Sequence, residues 1–579
     1  MKPNLLGVTV VLLLAAVCAL AAEKPKLEIK HIWFYCHPSL GDDKSLAETT
    51  ALMQRAARAG YTGIVLVENK MQRWNQVTPQ YLENMKKFRQ ACRDNKLACV
   101  AAVTPLGYAN DLLSNDPDLA EGMPVVDAPF VVKDGKLVPD DPTTLVNGTF
   151  EEVKDGKPVG WDMDMPGQIT FVDTEVTHNG KPTLRLEDPQ EHDPQYAHCR
   201  AWQAVAVKPF RYYHLSCWVK TENFRPTGDT RLMALGSKGL HEGVPLNVPE
   251  LDGIKETQDW TLYDKTFNTQ DFTEAVIYVG SWSAKSGKIW YGDVRMEPAG
   301  LVDLLRREGT PFKATSPDGK TVYEEGKDLP EVKDPLLGKF PYVGGYNWHE
   351  QPTITLPAGS RLRDGDKVLL SYYHTAIMYY NDQVPICMSE PKTYDWIRWH
   401  IAGVHKNLNP DYYFMEHDEI RMQGWDASCQ RTGKTCGGIL ADNIGKCTEI
   451  IQKEDPGKGI FVWSDMFDPY ANAKKTGYYY LCRGEGPWYG SWEGLPKEVG
   501  LINWNGGNAE SVKFFATEGH PQILSQVNPQ AVVDWLRKSA PESPGIVGVI
   551  YVTWSNDFSN LEKYAQAVRQ FEKEYNGSK

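Results

Sequence analysis

The sequence predicts an α/β protein, a (β/α)8 TIM barrel interrupted by an inserted β-sandwich of jelly-roll type. Three observations predict it. Strand and helix patterns alternate from Ile29 to about residue 140. The alternation stops, and residues 145–298 read as short strands and turns with no long helix. It then resumes after about residue 366 and ends in a helix, NLEKYAQAVRQFEKEY. Alternating βα units imply a parallel sheet, and an all-β stretch between two such regions implies an insertion.

In the first region IKHIWFYCHP (29–38) reads as a strand and SLAETTALMQRAARAG (45–60) as a helix closed by glycine. YTGIVLVE (61–68) is a buried strand, 79–94 a helix and KLACVAAVTP (96–105) a third strand. After a turn-rich connector (299–360), candidate strands are 366–374, 412–417, 459–465, 500–504, 520–526 and 548–555. That makes nine for an eight-stranded barrel, so one is surplus, either 366–374 or 500–504. The expected boundaries are a signal peptide over 1–21, barrel over 22–142, sandwich over 143–298, and connector plus barrel over 299–579.

The 579 residues exceed one ordinary core. Hydrophobic residues are 41% and charged residues 24%, a globular balance. Aromatic residues are abundant, with 18 Trp and 28 Tyr. Such rings serve equally as core and as platforms for sugar C–H faces. A net charge of −13 excludes the basic footprint that nucleic acid requires.

The N-terminus carries Lys2, an apolar run and Ala19-Leu20-Ala21, the pattern of a cleaved export signal. The run is too short for a membrane span. The expected location is therefore secreted or periplasmic, where disulfides are permitted. Cys429, Cys436 and Cys447, with Cys482 further on, suggest a disulfide-braced loop of undetermined pairing. Their spacings fit no zinc motif.

Within the all-β stretch, VNGTFEEVKDGKPVGW opens and GKIWYGDVRMEP closes the segment around YYHLSCWVKTENF. Together they resemble the jelly-roll carbohydrate-binding modules. That resemblance implies a sandwich and leaves open whether it binds sugar or only packs on a neighbour.

Active sites of such barrels sit at the C-terminal ends of the strands. Those ends supply His37, His374, Glu416, His417, Asp418, Glu419, Trp463, Asp465, Trp504, Trp554 and Asp557, with Arg421 and His520 nearby. The densest stretch is YYFMEHDEIRMQGWD (412–426). Carboxylates beside aromatics suit glycoside hydrolysis, in which one carboxyl protonates the leaving oxygen. Neighbouring residues on a strand point apart, so Asp418 and Glu419 do not make an opposed pair. They do suit a scheme in which Glu419 is acid/base and Asp418 holds a substrate acetamido group that attacks the anomeric carbon.

The second barrel half resembles the family 20 β-N-acetylhexosaminidases. Asp418-Glu419 matches that family's acidic pair, Trp463-Ser464-Asp465-Met466 its W-x-D-M strand, and VTWSND its last strand with Trp554. The resemblance implies an exo-acting, retaining, substrate-assisted enzyme without cofactor or metal. It also implies that Trp463 and Trp554 wall the sugar subsite, with Tyr478, Tyr479 or Tyr480 facing the acetamido group. Glu416-His417 replaces two glycines of the family, and HIWFYCHP lacks its sugar-binding arginine. Two alternatives stand beside this. One is a glycosidase of another barrel family, with Glu419 as acid and Asp465 or Glu416 as nucleophile on a sugar lacking the acetamido group. The other is a non-catalytic carbohydrate-binding barrel. A metal enzyme built on His374, His417, Asp418 and His520 lacks a diagnostic spacing.

Overall fold

A computed structural model describes residues 26–237, 243–247, 251, 253–339, 348–378 and 383–577. The expected signal peptide over 1–21 lies outside the described residues. Eight strands close into a barrel in chain order: β1 (His31–Cys36), β2 (Gly63–Leu66), β3 (Ala98–Val103), β4 (Tyr412–Met415), β5 (Gly459–Trp463), β6 (Gly500–Asn503), β7 (Gln522–Gln526) and β8 (Ile546–Tyr551). Every neighbouring pair is parallel, including β8 with β1. Helices follow seven of these strands: α1 (Asp43–Ala59), α2 (Pro79–Asp94), α3 (Pro391–Asn407), α4 (Cys436–Glu454), α5 (Ala509–Thr517), α6 (Pro529–Ser539) and α7 (Leu561–Gly577). After β5 the chain instead runs through loops with two short 3₁₀ turns, Asp465–Phe467 and Ser491–Gly494.

The elements form for local reasons. Asp42 caps α1 by accepting from the Lys44 and Ser45 amides, and Gly60 ends it in the left-handed region. Alternate strand residues divide between two cores. Trp33, Tyr35, Val65, Val100, Phe414, Phe461, Trp463, Ile502 and Ile550 fill the barrel interior. Ile32, Phe34, Ile64, Leu66, Tyr413, Val462 and Leu501 face the helices. Both faces are buried, as parallel sheets require.

The surplus strand is the first of the two suspects. Lys367–His374 lies antiparallel to Met123–Lys133 in a six-stranded sheet outside the barrel, while Gly500–Asn503 belongs to the barrel. The burial pattern explains the difference. KVLLSYYH alternates between buried and half-exposed, whereas GLIN is buried throughout. This six-stranded sheet also takes Lys136–Pro139, Lys313–Thr315, Val322–Tyr323 and Ile354–Thr355. It therefore draws strands from both sides of the all-β stretch and has its own core around Phe130, Val132, Leu329 and Leu370.

Between Asp162 and Pro298 two five-stranded antiparallel sheets enclose a separate core with Leu184, Cys217, Ile277 and Tyr291. These sheets and the six-stranded one all lie in the connection from β3 to α3. No helix among the described residues is long and apolar enough to cross a membrane.

The expected disulfide-braced loop is not formed. Cys429, Cys436, Cys447 and Cys482 are free and buried. Their sulfurs turn to different partners: Cys436 to the Gln423 carbonyl at 3.4 Å, Cys447 to Asn443 Oδ1 at 3.5 Å and Cys482 to the Ile420 carbonyl at 3.3 Å. Cys429 instead approaches Cys387, with 3.7 Å between sulfurs.

Candidate active site

A cleft of about 970 Å³ opens at the C-terminal ends of the barrel strands. Tyr35, His37, Tyr108, Glu416, Asp418, Glu419, Arg421, Trp463, Asp465, Trp504 and Trp554 are among its lining residues. With Tyr479 and Tyr480 also lining it, four carboxylates face three indoles and four phenols in one space.

The backbone after β4 makes this possible. The strand ends at Met415, so Asp418 and Glu419 are no longer bound by strand alternation. Glu419 has φ 47°, in the left-handed region that costs a non-glycine residue about 1–3 kcal/mol. The turn brings both adjacent side chains to the cleft. Gly107 packs beneath it: a Cβ there would lie 2.5 Å from the Asp418 carbonyl oxygen. Gln383 Nε2 donates to the Glu419 carbonyl at 2.8 Å and anchors the turn from the other side.

The carboxylates have unequal surroundings. Glu419 receives the Tyr108 hydroxyl and an ion pair from Arg421 at 2.8 Å. Arg421 is itself placed by Gln383 Oε1 at 2.5 Å and lies over the Tyr480 ring. Glu416 accepts from the Tyr35 hydroxyl at 2.9 Å. Burial, and then the charge of Asp418, push its carboxyl up to about 8. Burial and the neighbouring Glu419 push Asp418 up to about 7. Asp465 is raised well above the carboxylate range by burial and by Asp418 and Glu419. Its Oδ2 accepts from Asn472 at 3.0 Å, while its Oδ1 is buried without a hydrogen-bond partner among the described residues. The cleft thus holds a fixed anion-cation pair beside carboxyls that retain protons near neutral pH.

The aromatic wall is continuous. Trp463 meets Trp504 at 5.7 Å and Trp554 at 6.3 Å, and Trp504 meets Trp554 at 5.6 Å. Trp463 is buried at the back, its Nε1 without a partner among the described residues, while Trp504 and Trp554 are 43% and 57% exposed. Exposed indoles at a polar cleft are surfaces held ready for a ligand. Replacing Trp554 by Ala is expected to raise KM about tenfold, roughly 1.4 kcal/mol, with an unchanged unfolding midpoint. Steady-state kinetics and thermal melts check it, and a lost fold would show that Trp554 is structural.

Four residues expected here lie elsewhere. His374 is buried where the six-stranded sheet meets the sandwich, stacked on Tyr212 at 3.6 Å and bonded to Asn268 at 3.0 Å. His417 stands between two cleft carboxylates but points outward, to Asn443 at 3.0 Å. Burial lowers both imidazoles to about 3. His520 precedes β7, at the opposite end of the barrel, and bonds the Val499 carbonyl. Asp557 accepts from the Ser559 amide in a surface turn and does not line the cleft. Of the three tyrosines, Tyr479 and Tyr480 line the cleft and Tyr478 does not. Tyr35 and Tyr108 escaped the sequence reading. Tyr35 shares the inward face of β1 with Trp33, and that alternation is the signal that could have found it.

No protein-family model matches the chain, and no curated protein matches it. Among solved structures, a rhamnosidase from Novosphingobium sp. PP1Y is similar over 94% of this chain and 59% of its own, at 11% identity and a TM-score of 0.31. A CBM4 structure is similar over 27% of this chain and 99% of its own, at 17% identity and a TM-score of 0.19. The CBM22-1 xylan-binding domain from Paenibacillus barcinonensis covers 27% of this chain and 94% of its own, at 14% identity and a TM-score of 0.21. At such scores these likenesses transfer no activity to this chain.

Proposed function

We propose that the chain is an exported glycoside hydrolase whose (β/α)8 barrel carries a carbohydrate-binding-module-like sandwich. The observation that carries this reading is the meeting of four carboxylates with the Trp463–Trp504–Trp554 wall in one cleft. Hydrolysing a glycoside requires a carboxyl to protonate the leaving oxygen and negative charge to stabilise an oxocarbenium-like centre. An indole wall supplies the apolar face against which a pyranose ring rests. The substrate partner is thus an oligosaccharide or glycan.

In the finer reading the enzyme is β-N-acetylhexosaminidase-like, exo-acting and retaining. Glu419 is the acid/base, and Asp418 orients the substrate's acetamido group, which attacks the anomeric carbon. Asp418 and Glu419 reach the cleft from one turn, the placement this scheme needs. A second reading rests on the Arg421 and Tyr108 contacts, which hold the Glu419 carboxylate in place in the cleft. There Glu419 is the anionic nucleophile, and Asp465 or Glu416 supplies the proton.

A screen of aryl β-glycosides differing only at C2, acetamido against hydroxyl, tests the proposal. Turnover restricted to acetamido substrates supports the finer reading, and turnover of hydroxyl substrates supports the second. Sugar binding without turnover of either would leave a binding barrel and end the enzymatic proposal.

The raised carboxyls set an expectation for pH. In the second reading, where Glu416 supplies the proton, that carboxyl holds it until pH passes about 8, so kcat/KM should fall on the alkaline side of that value. The Tyr35 hydroxyl bond lowers Glu416. Tyr35→Phe should therefore move an alkaline limb set by Glu416 upward by about 0.5–1 pH unit. An unmoved limb assigns the proton to another carboxyl.

A further inference from the structure

Asp303 follows the last sandwich strand and is fully buried among Leu301, Val302 and Leu304. Its backbone is satisfied: the amide donates to Asp334 Oδ2 at 2.7 Å and the carbonyl accepts from Thr375 at 3.1 Å. Neither carboxylate oxygen has a hydrogen-bond partner among the described residues. An ionised Asp303 is thus a buried charge without compensation, and a protonated one is a buried hydroxyl without an acceptor. Beside it, Asp334 Oδ2 faces His349 Nε2 at 3.0 Å. Ligand atoms of Asp303, Asp334 and His349 lie within 4.8 Å of one another.

We propose that Asp303, Asp334 and His349 form a structural site for one divalent transition-metal ion, with zinc the best match. Two carboxylates and a neutral imidazole cancel a +2 charge, so the buried set becomes neutral. The imidazole argues against calcium and magnesium, which take oxygen ligands, and the lack of thiolate argues against soft ions. Zinc bonds of about 2.0–2.1 Å spread ligand atoms by roughly 3.3 Å in a tetrahedron, which small side-chain shifts reach here. A second cluster, Glu121, Cys387, Asp426 and Cys429, lacks this unmet charge. There Glu121 accepts the Gly424 and Trp425 amides and Asp426 pairs with Arg307.

The ion would tie together three separate segments of the connector. Trp348, next to His349, stacks on His214 of the sandwich at 3.7 Å and 3°. The Asp303 carbonyl and Leu305 amide bond to Thr375 and Tyr373, at the end of the six-stranded sheet. The site therefore pins the sandwich to that sheet, away from the carboxylate cleft.

The test uses the full chain, stripped by chelator, given ZnCl2 and dialysed. We expect about one zinc per chain by elemental analysis, and loss of that zinc in both Asp303→Asn and His349→Ala. The unfolding midpoint provides a second readout of opposite sign. In a metal site Asp303→Asn lowers the zinc-loaded midpoint. In a metal-free site it replaces an unpartnered charge by a neutral amide and raises it. Failure of the stripped chain to take up zinc, or zinc retained undiminished by both variants, overturns the proposal.

Discussion

Glu419→Gln is expected to lower kcat by about 10²–10⁴-fold, the range general acid–base help supplies. If Glu419 is the acid, the loss grows with the basicity of the leaving group, because good leaving groups depart without a proton. Asp418→Asn should behave differently. It leaves the proton donor and misorients the acetamido group, so acetamido substrates slow regardless of leaving group. Thiazoline mimics of the cyclised intermediate should then inhibit the native enzyme strongly, since such ligands bind far more tightly than substrate. The measurement is a rate series across aryl leaving groups for both variants. A Glu419→Gln loss independent of leaving group, with no thiazoline inhibition, moves the assignment to nucleophilic Glu419.

Gly107→Ala is expected to cost as much activity while touching no ligand. The added methyl meets the Asp418 and Glu419 carbonyl oxygens, backbone atoms of a turn already in the left-handed region. The turn has to move, and both carboxylates move with it. A displacement near 1 Å at a reacting group costs about 10²-fold. The variant should remain folded by circular dichroism, with kcat reduced more than KM is raised. Near-native kcat would mean that the turn yields without moving Asp418 and Glu419.

Much of this was legible in the sequence, because periodicity reports burial. Seven of the eight barrel strands read directly from buried runs bounded by turns, and β6 was one of two candidates for exclusion. The six-stranded sheet was not legible. Its strands come from residues 123–139 and 313–374, and nothing local in KVLLSYYH names its partner across the all-β stretch. Pairing between distant segments leaves only the alternation of faces as a trace. The same limit governs the site. Glu416 and Asp418 line the cleft, but His417 between them, past the end of β4, turns outward to Asn443. His374 was read at a strand end and His520 near the site, yet one lies in another sheet and the other at the opposite end of the barrel. Adjacent Asp418 and Glu419 converge only because of a positive φ at Glu419, which no propensity assigns to glutamate.

The long excursion between β3 and β4 also bears on the order in which the molecule assembles. Tyr108 and Glu419 stand 311 positions apart, so the seam that carries the carboxylates joins segments far removed in sequence. Closing so long a loop is slow if the intervening chain is disordered. The antiparallel pairing of Met123–Lys133 with Lys367–His374 shortens that search, because it gathers both ends of the excursion before the barrel closes. The cleft is therefore among the last regions to mature. In pulse-labelled hydrogen exchange, amides at the β3–β4 seam should gain protection after those of the sandwich, and catalytic competence should arrive with them.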